Sequence, residues 1–490
     1  RIVTRVLSGT TIGPDMQPVF IGHCPGKANL NAVFDDAFLK NRLEQLGYSE
    51  RVANFSESVA DDDADQLYML PIPVRSLAQF QRLFPQATYG IESASEQLDT
   101  QHWLPWAIKD FFSVGTSQLD DRICWVIRVD ETQGVAGFDI SSTAVQHLPE
   151  SWSAIELACS IESVGILVIP DLERLLVPRE IQDIARKHLP NPSAEFYPCS
   201  EQYDDTHRER RYSDEIVDNI VDESAVRRIQ QVAYRIKSWR PDMQWIFSLP
   251  PDIENEIAVN KPVEVFDMWL NTVAKNLKEL SAVQFVFPLI FSDTRPVTSA
   301  SGLLAGHIVH KTRSDGVWRS ISGMPLSTHL SVWPEVSIKH RTRLREELGL
   351  GVLYQAGDNL QLDDERLVVN GFCDHVGTAC KSGELMRFVG WLRRSLRNLG
   401  EDMIFNLDGR DPAINNILDA FFRELHQQGA LRGAQPEDAY RLTNLSNSSK
   451  LIHFQIEIAP SFPVDRFVVS FMHDSKANSL NFDWEVAANG

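Results

Sequence analysis

The chain has 490 residues, 43% of them hydrophobic, and carries 67 acidic against 47 basic side chains for a net charge of -20. That length supports two to four domains at roughly 100–200 residues each, and the acidity argues against non-specific nucleic-acid binding, which needs clustered Lys and Arg to hold phosphates. The longest apolar stretch, Leu280–Ile290, is interrupted by Ser281 and Gln284 and falls short of the ~20 residues that cross a bilayer, so membrane insertion is not expected. The amino terminus, Arg1-Ile2-Val3-Thr4-Arg5-Val6, lacks the apolar run of a secretory signal, which leaves cytoplasmic synthesis as the expectation. Six cysteines at 24, 124, 159, 199, 373 and 380 are too sparse for a disulfide framework and read as reduced thiols.

In chain order, Ile2-Val3-Thr4-Arg5-Val6-Leu7 is β-prone and ends before Gly13-Pro14, a strand with no local partner. Pro18–Gly22 reads as a buried strand, and Asp61-Asp62-Asp63-Ala64-Asp65 as an exposed acidic loop. A helix is predicted over Trp103–Phe112, followed by an apolar strand over Ile123–Val129. Similar apolar strands recur at Val164–Ile169, Trp245–Leu249 and Val283–Ile290. Continuous apolar strands separated by helices imply an α/β sheet covered on both faces. The charge-rich stretch from Glu173 to Arg240 is expected to be a peripheral excursion rather than core.

The last hundred residues read as α+β. A helix over 383–399 places Leu385, Phe388, Leu392, Leu396 and Leu399 on one stripe and Arg387, Arg394 and Arg397 on the opposite face. A second helix begins at Asp411 as N-cap with Pro412 in its first turn, and stops at Gly429. Strands follow over Ile452–Ile458 and Phe467–Phe471. The strictly alternating Leu480-Asn481-Phe482-Asp483-Trp484-Glu485-Val486 makes a final strand with no evident hairpin partner.

Catalytic signatures are weak. There is no Gly-rich phosphate cradle. Cys373 and His375 with Cys380 could supply three metal ligands, but the fourth is missing and the spacing matches no common zinc site, and His307 and His310 lack the Glu of a metalloprotease helix. Gly115-Thr116-Ser117 suggests a subtilisin-type nucleophile, yet a triad needs a base His and an orienting Asp. Only His23 and His102 precede Ser117, neither in a His-Gly-Thr context. No catalytic, metal or cofactor residue is assigned, and the chain is not expected to be an enzyme.

Four segments together resemble the contractile phage tail sheath family. They are Trp106–Phe112 with its paired Phe, leading to a strand that ends Arg128-Val129; Pro73–Phe84 with its serine-headed helix; Ser299–Gly306 running to Asp315-Gly316-Val317-Trp318; and Gln428–Gly433 with Pro436–Tyr440, Ile458-Ala459-Pro460 and Phe462-Pro463-Val464. The resemblance runs from about residue 18 to 475, with departures near 35–66 and 173–240. It implies an amino-terminal linking arm over 1–17, a sheath domain over 18–150, a subtilisin-like α/β domain over 151–380, a carboxy-terminal α+β sheath domain over 381–475 and a linking strand over 476–490. It further implies stacked hexameric rings around a tail tube, partnered by the tube protein, a baseplate and a tail terminator, in a virion tail assembled in the host cytoplasm. Bacterial injection-system sheaths are related and are the alternative.

On that resemblance, unpaired strands at both termini become connectors that complete a neighbour's sheet. The residues expected to exchange are Ile2, Val3, Thr4, Arg5, Val6 and Leu7 at one end and Leu480 to Val486 at the other. Arg387, Arg393, Arg394 and Arg397 are the expected tube-facing group, a basic face whose exposed contacts are individually worth ~0–1 kcal/mol and so can be broken during contraction.

Overall fold

The computed structural model describes residues 16–24, 26–58, 65–87, 102–115, 122–143, 151–176, 223–251, 282–368, 381–404, 411–446, 451–461, 467–474 and 479–486. Ile2–Leu7, Ser117 and the Cys373–Cys380 group lie outside them. The strands are β1 (Gln17–Gly22), β2 (Pro71–Val74), β3 (Cys124–Arg128), β4 (Val164–Val168), β5 (Gln244–Ser248), β6 (Val283–Phe287), β7 (Leu289–Ser292), β8 (Arg295–Thr298), β9 (Ser331–Trp333), β10 (Gly351–Ala356), β11 (Asn359–Leu362), β12 (Tyr440–Asn444), β13 (Leu451–Ile458), β14 (Phe467–Asp474) and β15 (Ser479–Val486).

Eight of them form one mixed sheet in the order β11-β10-β6-β5-β4-β1-β3-β2. From β10 through β3 neighbours run parallel, and β2 and β11 close the two edges antiparallel. The central strands are buried along their length, as continuous apolar runs require when both faces are covered. Alternate residues of one strand serve two cores: Phe20 and Ile166 pack on one face, Val19, Ile21 and Leu167 on the other. The mixed α/β class therefore holds.

On the first face, helices Leu104–Ser113 and Ser301–Asp315 cross closely. A β-carbon added at Gly302 would sit 2.5 Å from the Ala107 backbone, so only glycine permits this approach. Helix Gly383–Ile404 packs on β4 and β5. The second face is covered by helices Ala154–Cys159, Glu223–Trp239 and Ile338–Leu348. Two smaller sheets complete the chain, β8-β7-β9 and the antiparallel meander β12-β13-β14-β15, which follows helix Pro412–Gln427, capped by Asp411 as its sequence indicates.

Four expectations change. The boundary at residue 150 runs through a single sheet, because β1 is hydrogen-bonded between β3 and β4. The boundary at 381 separates helix Gly383–Ile404 from the strands it covers. The stretch 173–240 is not wholly peripheral: Glu173 and Arg240 are buried, and helix Glu223–Trp239 inserts Val226, Ile229, Val232, Ala233 and Ile236 into the second core. Finally, β15 has a hairpin partner, pairing with β14 from Asp474↔Ser479 to Phe467↔Val486.

Candidate functional site

The carboxyl ends of the parallel strands are the first place to look for chemistry, because connections diverge on either side of β1 and open α/β sheets bind ligands at such a switch point. Here that place is filled by the protein's own charges. Asp171, just past β4, is fully buried and accepts four donors: the backbone N–H groups of His23 at 2.8 Å, Trp103 at 2.9 Å and Leu104 at 3.1 Å, and Arg174 Nε at 2.8 Å. It thereby ties β1, β4 and the start of helix Leu104–Ser113 together, with its charge at that helix's positive end. A β-carbon at Gly22 would meet its Oδ2 at 2.4 Å, so the cluster also depends on that glycine. Beside it, Arg128 at the end of β3 donates to Glu131 and to the carbonyls of Cys24, Gly26 and Gln66, and Glu131 accepts from the Tyr68 hydroxyl at 2.8 Å.

His23, His102 and Asp171 each bring a potential ligand atom to this cluster. Arg174 approaches His23 Nδ1 at 3.1 Å, and a guanidinium can only donate. Nδ1 is therefore the acceptor, and the proton sits on Nε2, which then has no lone pair for a metal. Burial pushes the pKa of both imidazoles down. Neither ring donates to Asp171, whose donors are backbone amides and Arg174, so the arrangement is not that of a catalytic triad. His307 is a core residue whose Nε2 reaches the Leu326 carbonyl at 2.8 Å, with burial lowering its pKa to about 4.

Further along the same edge, Ser248 Oγ lies 3.1 Å from Ser299 Oγ, and Ser301 Oγ donates to Glu173 at 3.2 Å. Burial pushes the Glu173 carboxyl up to about 8, against the lowering effect of the Ser299 and Ser301 hydroxyls and the Ser248 backbone, so it is held protonated near neutrality. A carboxyl raised from an ordinary 4.5 keeps its proton in the fold while the unfolded chain has lost it, and stability falls as pH rises from about 4.5 to about 8. Glu173→Gln keeps the shape without the charge. Its urea midpoint is expected to vary less over that window than the parent's, which carries a slope of up to ~1.4 kcal/mol per pH unit from this group. Parallel pH profiles would contradict the assignment.

The arginine face of helix Gly383–Ile404 is also interior. Arg387 and Arg394 are each 2% exposed, and this corrects their expected exposure to a tube. Arg387 pairs with buried Glu365. Arg394 donates to the Asp242 carbonyl at 2.7 Å and its carboxylate at 3.2 Å. Asp242 is shared with Arg240, which also caps the carbonyls of Cys159, Ile161 and Val164. Burial opposes the charge of Asp242, but Arg240 and Arg394 hold its carboxyl well below the usual range. Burial lowers Arg394 to about 10. Its guanidinium lies over β4 where Gly165 has no side chain, since a β-carbon there would meet Nη2 at 2.6 Å. Arg393 and Arg397 are partly exposed. Sequence reading missed Asp242, Glu365 and Asp171; only the Pro170-Asp171 stop after an apolar strand hints at the last.

What the fold leaves open is backbone. Among the described residues the outer edge of β15 has no partner strand, and neither does that of β12.

No family model and no curated protein matches the chain. Solved structures do. The extracellular contractile injection system PVC sheath complex in its contracted state is matched at a TM-score of 0.51 and 9% identity over 99% of this chain and 91% of that one. The contracted helical sheath of the anti-feeding prophage is matched at 0.51 and 13% over 93% and 92%. A sheath tail protein from Listeria innocua is matched at 0.51 and 7% over 95% and 97%. The fold is that of contractile sheath proteins, along nearly the whole chain.

Proposed function

We propose that this protein is a non-enzymatic structural subunit of a contractile tail sheath. Copies polymerise as stacked hexameric rings around a tail tube, between baseplate and terminator, and contract to drive the tube through the host envelope. The observation that carries this reading is the near end-to-end likeness to solved sheath chains. On this reading the core is a subtilisin-like α/β unit whose carboxyl edge is filled by structural ion pairs. The solved neighbours from an injection system and an anti-feeding prophage favour a second version, a sheath of an injection machine rather than of a phage virion tail.

The meander supplies a means of linkage. The bare edge of β15, with its residues Leu480 to Val486, is suited to a strand added from a neighbour, and Ile2–Leu7 has the composition for one. Head-to-tail addition of this kind does not close within a pair and builds a lattice. Linked strands stay paired while the bodies they join rotate. Arg393 and Arg397 remain as the tube-facing candidates. Removing 1–7, or 479–486, is expected to give folded monomers by sedimentation. Lattices of normal length from both truncations would contradict the linkage.

A further inference from the structure

Two surfaces at opposite edges of the main sheet complement each other. Helix Ile338–Leu348 packs beside β10 and gathers Lys339, Arg341, Arg343 and Arg345 in a chain whose net charge is -20. It opens on Ile338, 75% exposed, and its first turn holds no acidic side chain. Cations at a helix's positive end and a bare isoleucine are both unfavourable in an isolated copy. Its two glutamates lie in the last turn, where Glu347 pairs with Arg343 and Glu346 with Arg345 and Arg366, while Arg341 lies over the Tyr354 ring.

Near β2, at the other edge, helices Leu30–Phe34, Ala37–Gln45 and Ser49–Ser58 pack on one another. They expose Asp35, Glu44 and Glu50 around two partly exposed apolar residues, Phe34 at 43% and Leu46 at 37%. The cations of this region are engaged locally: Lys40 over the Phe34 ring, Arg42 with Gln45 and over Trp125, and Arg51 on Asp65. With Asp35, Asp36, Glu44 and Glu50 against Lys40, Arg42 and Arg51, this surface carries an acidic excess beside its apolar residues, as helix Ile338–Leu348, with four cations against two glutamates, carries a basic excess beside its own. Six strand spacings at ~4.8 Å separate β10 from β2 by roughly 30 Å, so the two surfaces cannot meet within one copy.

We propose that helix Ile338–Leu348 of one copy docks on the acidic helices near β2 of the next, a head-to-tail contact within the polymer. It rests on the sheath reading above and names one of its subunit contacts. Complementary charge fixes the partner and its register, and the exposed apolar residues supply the buried centre. Because the two surfaces differ, the contact propagates instead of closing a dimer.

The test is the critical concentration for sedimentable polymer. Lys339→Glu with Arg343→Glu, and separately Glu44→Lys with Glu50→Lys, are each expected to raise it ~tenfold or more while thermal unfolding is unchanged. Ile338→Ser is expected to shift it in the same direction. All four charge reversals in one chain are expected to restore assembly to within ~threefold of the parent. Polymerisation of either double variant like the parent, or a four-fold variant no better than the doubles, overturns the contact and leaves the sheath reading standing. A parent chain that never polymerises removes the sheath reading, and the contact with it.

Discussion

Arg394→Glu is expected to yield no stably folded protein, whereas Arg397→Glu, three residues on, folds normally. Arg394 is 2% exposed and donates to Asp242, itself buried. Reversal places a second buried carboxylate beside Asp242, whose remaining guanidinium partner, Arg240, balances only one of the two. Removing one partner of a buried pair costs ~3–5 kcal/mol, and reversal adds repulsion to that loss. Against a total stability of ~5–15 kcal/mol, little folded protein remains. Arg397 is partly exposed, and a change there is expected within ~0.5 kcal/mol. Urea unfolding of both variants decides it; a folded Arg394→Glu protein within ~1 kcal/mol of the parent would show that the helix can turn this arginine outward.

Asp171→Ala is expected to lose ~3–5 kcal/mol. The carboxylate accepts three backbone N–H groups from two separate segments and pairs with Arg174, itself 6% exposed. Alanine strands all four donors in the interior and leaves the start of helix Leu104–Ser113 without its counter-charge. Since Arg174 owes its tolerance of burial to this acid, Asp171→Ala combined with Arg174→Met is expected to cost less than the sum of the two single changes. A single-variant loss below ~1 kcal/mol, or strict additivity, would mean that water replaces the carboxylate.

Local and periodic features were legible in the residues, and long-range pairing was not. Helix Pro412–Gln427 follows from Asp411, Pro412 and its apolar spacing, and the central strands follow from apolar runs too short for helices. Helix Glu223–Trp239 carries Val226, Ile229, Val232, Ala233 and Ile236 at helical spacing, a signal that was available but hidden by the surrounding charge. For helix Gly383–Ile404, amphipathicity identified the stripe of Leu385, Phe388, Leu392 and Leu396 but equated charge with exposure on the other face. What buries Arg394 is Asp242, 152 positions earlier, and no periodicity reports that. The hairpin of β14 and β15 was missed because Ser475-Lys476-Ala477-Asn478 carries no Asn-Gly or Asp-Gly pair. The same sequence distance hid the carboxyl-edge site: Asp171 meets His23 across 148 positions.

On the proposed sheath reading, filling the switch point with ion pairs suits a body that keeps its shape while its contacts rearrange. Packed cores do not deform continuously, so motion belongs to edges and surfaces. The bare edge of β15 and the two complementary helical surfaces are such places, and both bear on one claim, that copies of this chain build a polymer. Negative-stain electron microscopy of the purified full chain, over a range of concentration and salt, tests that claim most directly. Hollow cylinders of stacked rings are the predicted result; monodisperse globular particles under every condition would contradict it.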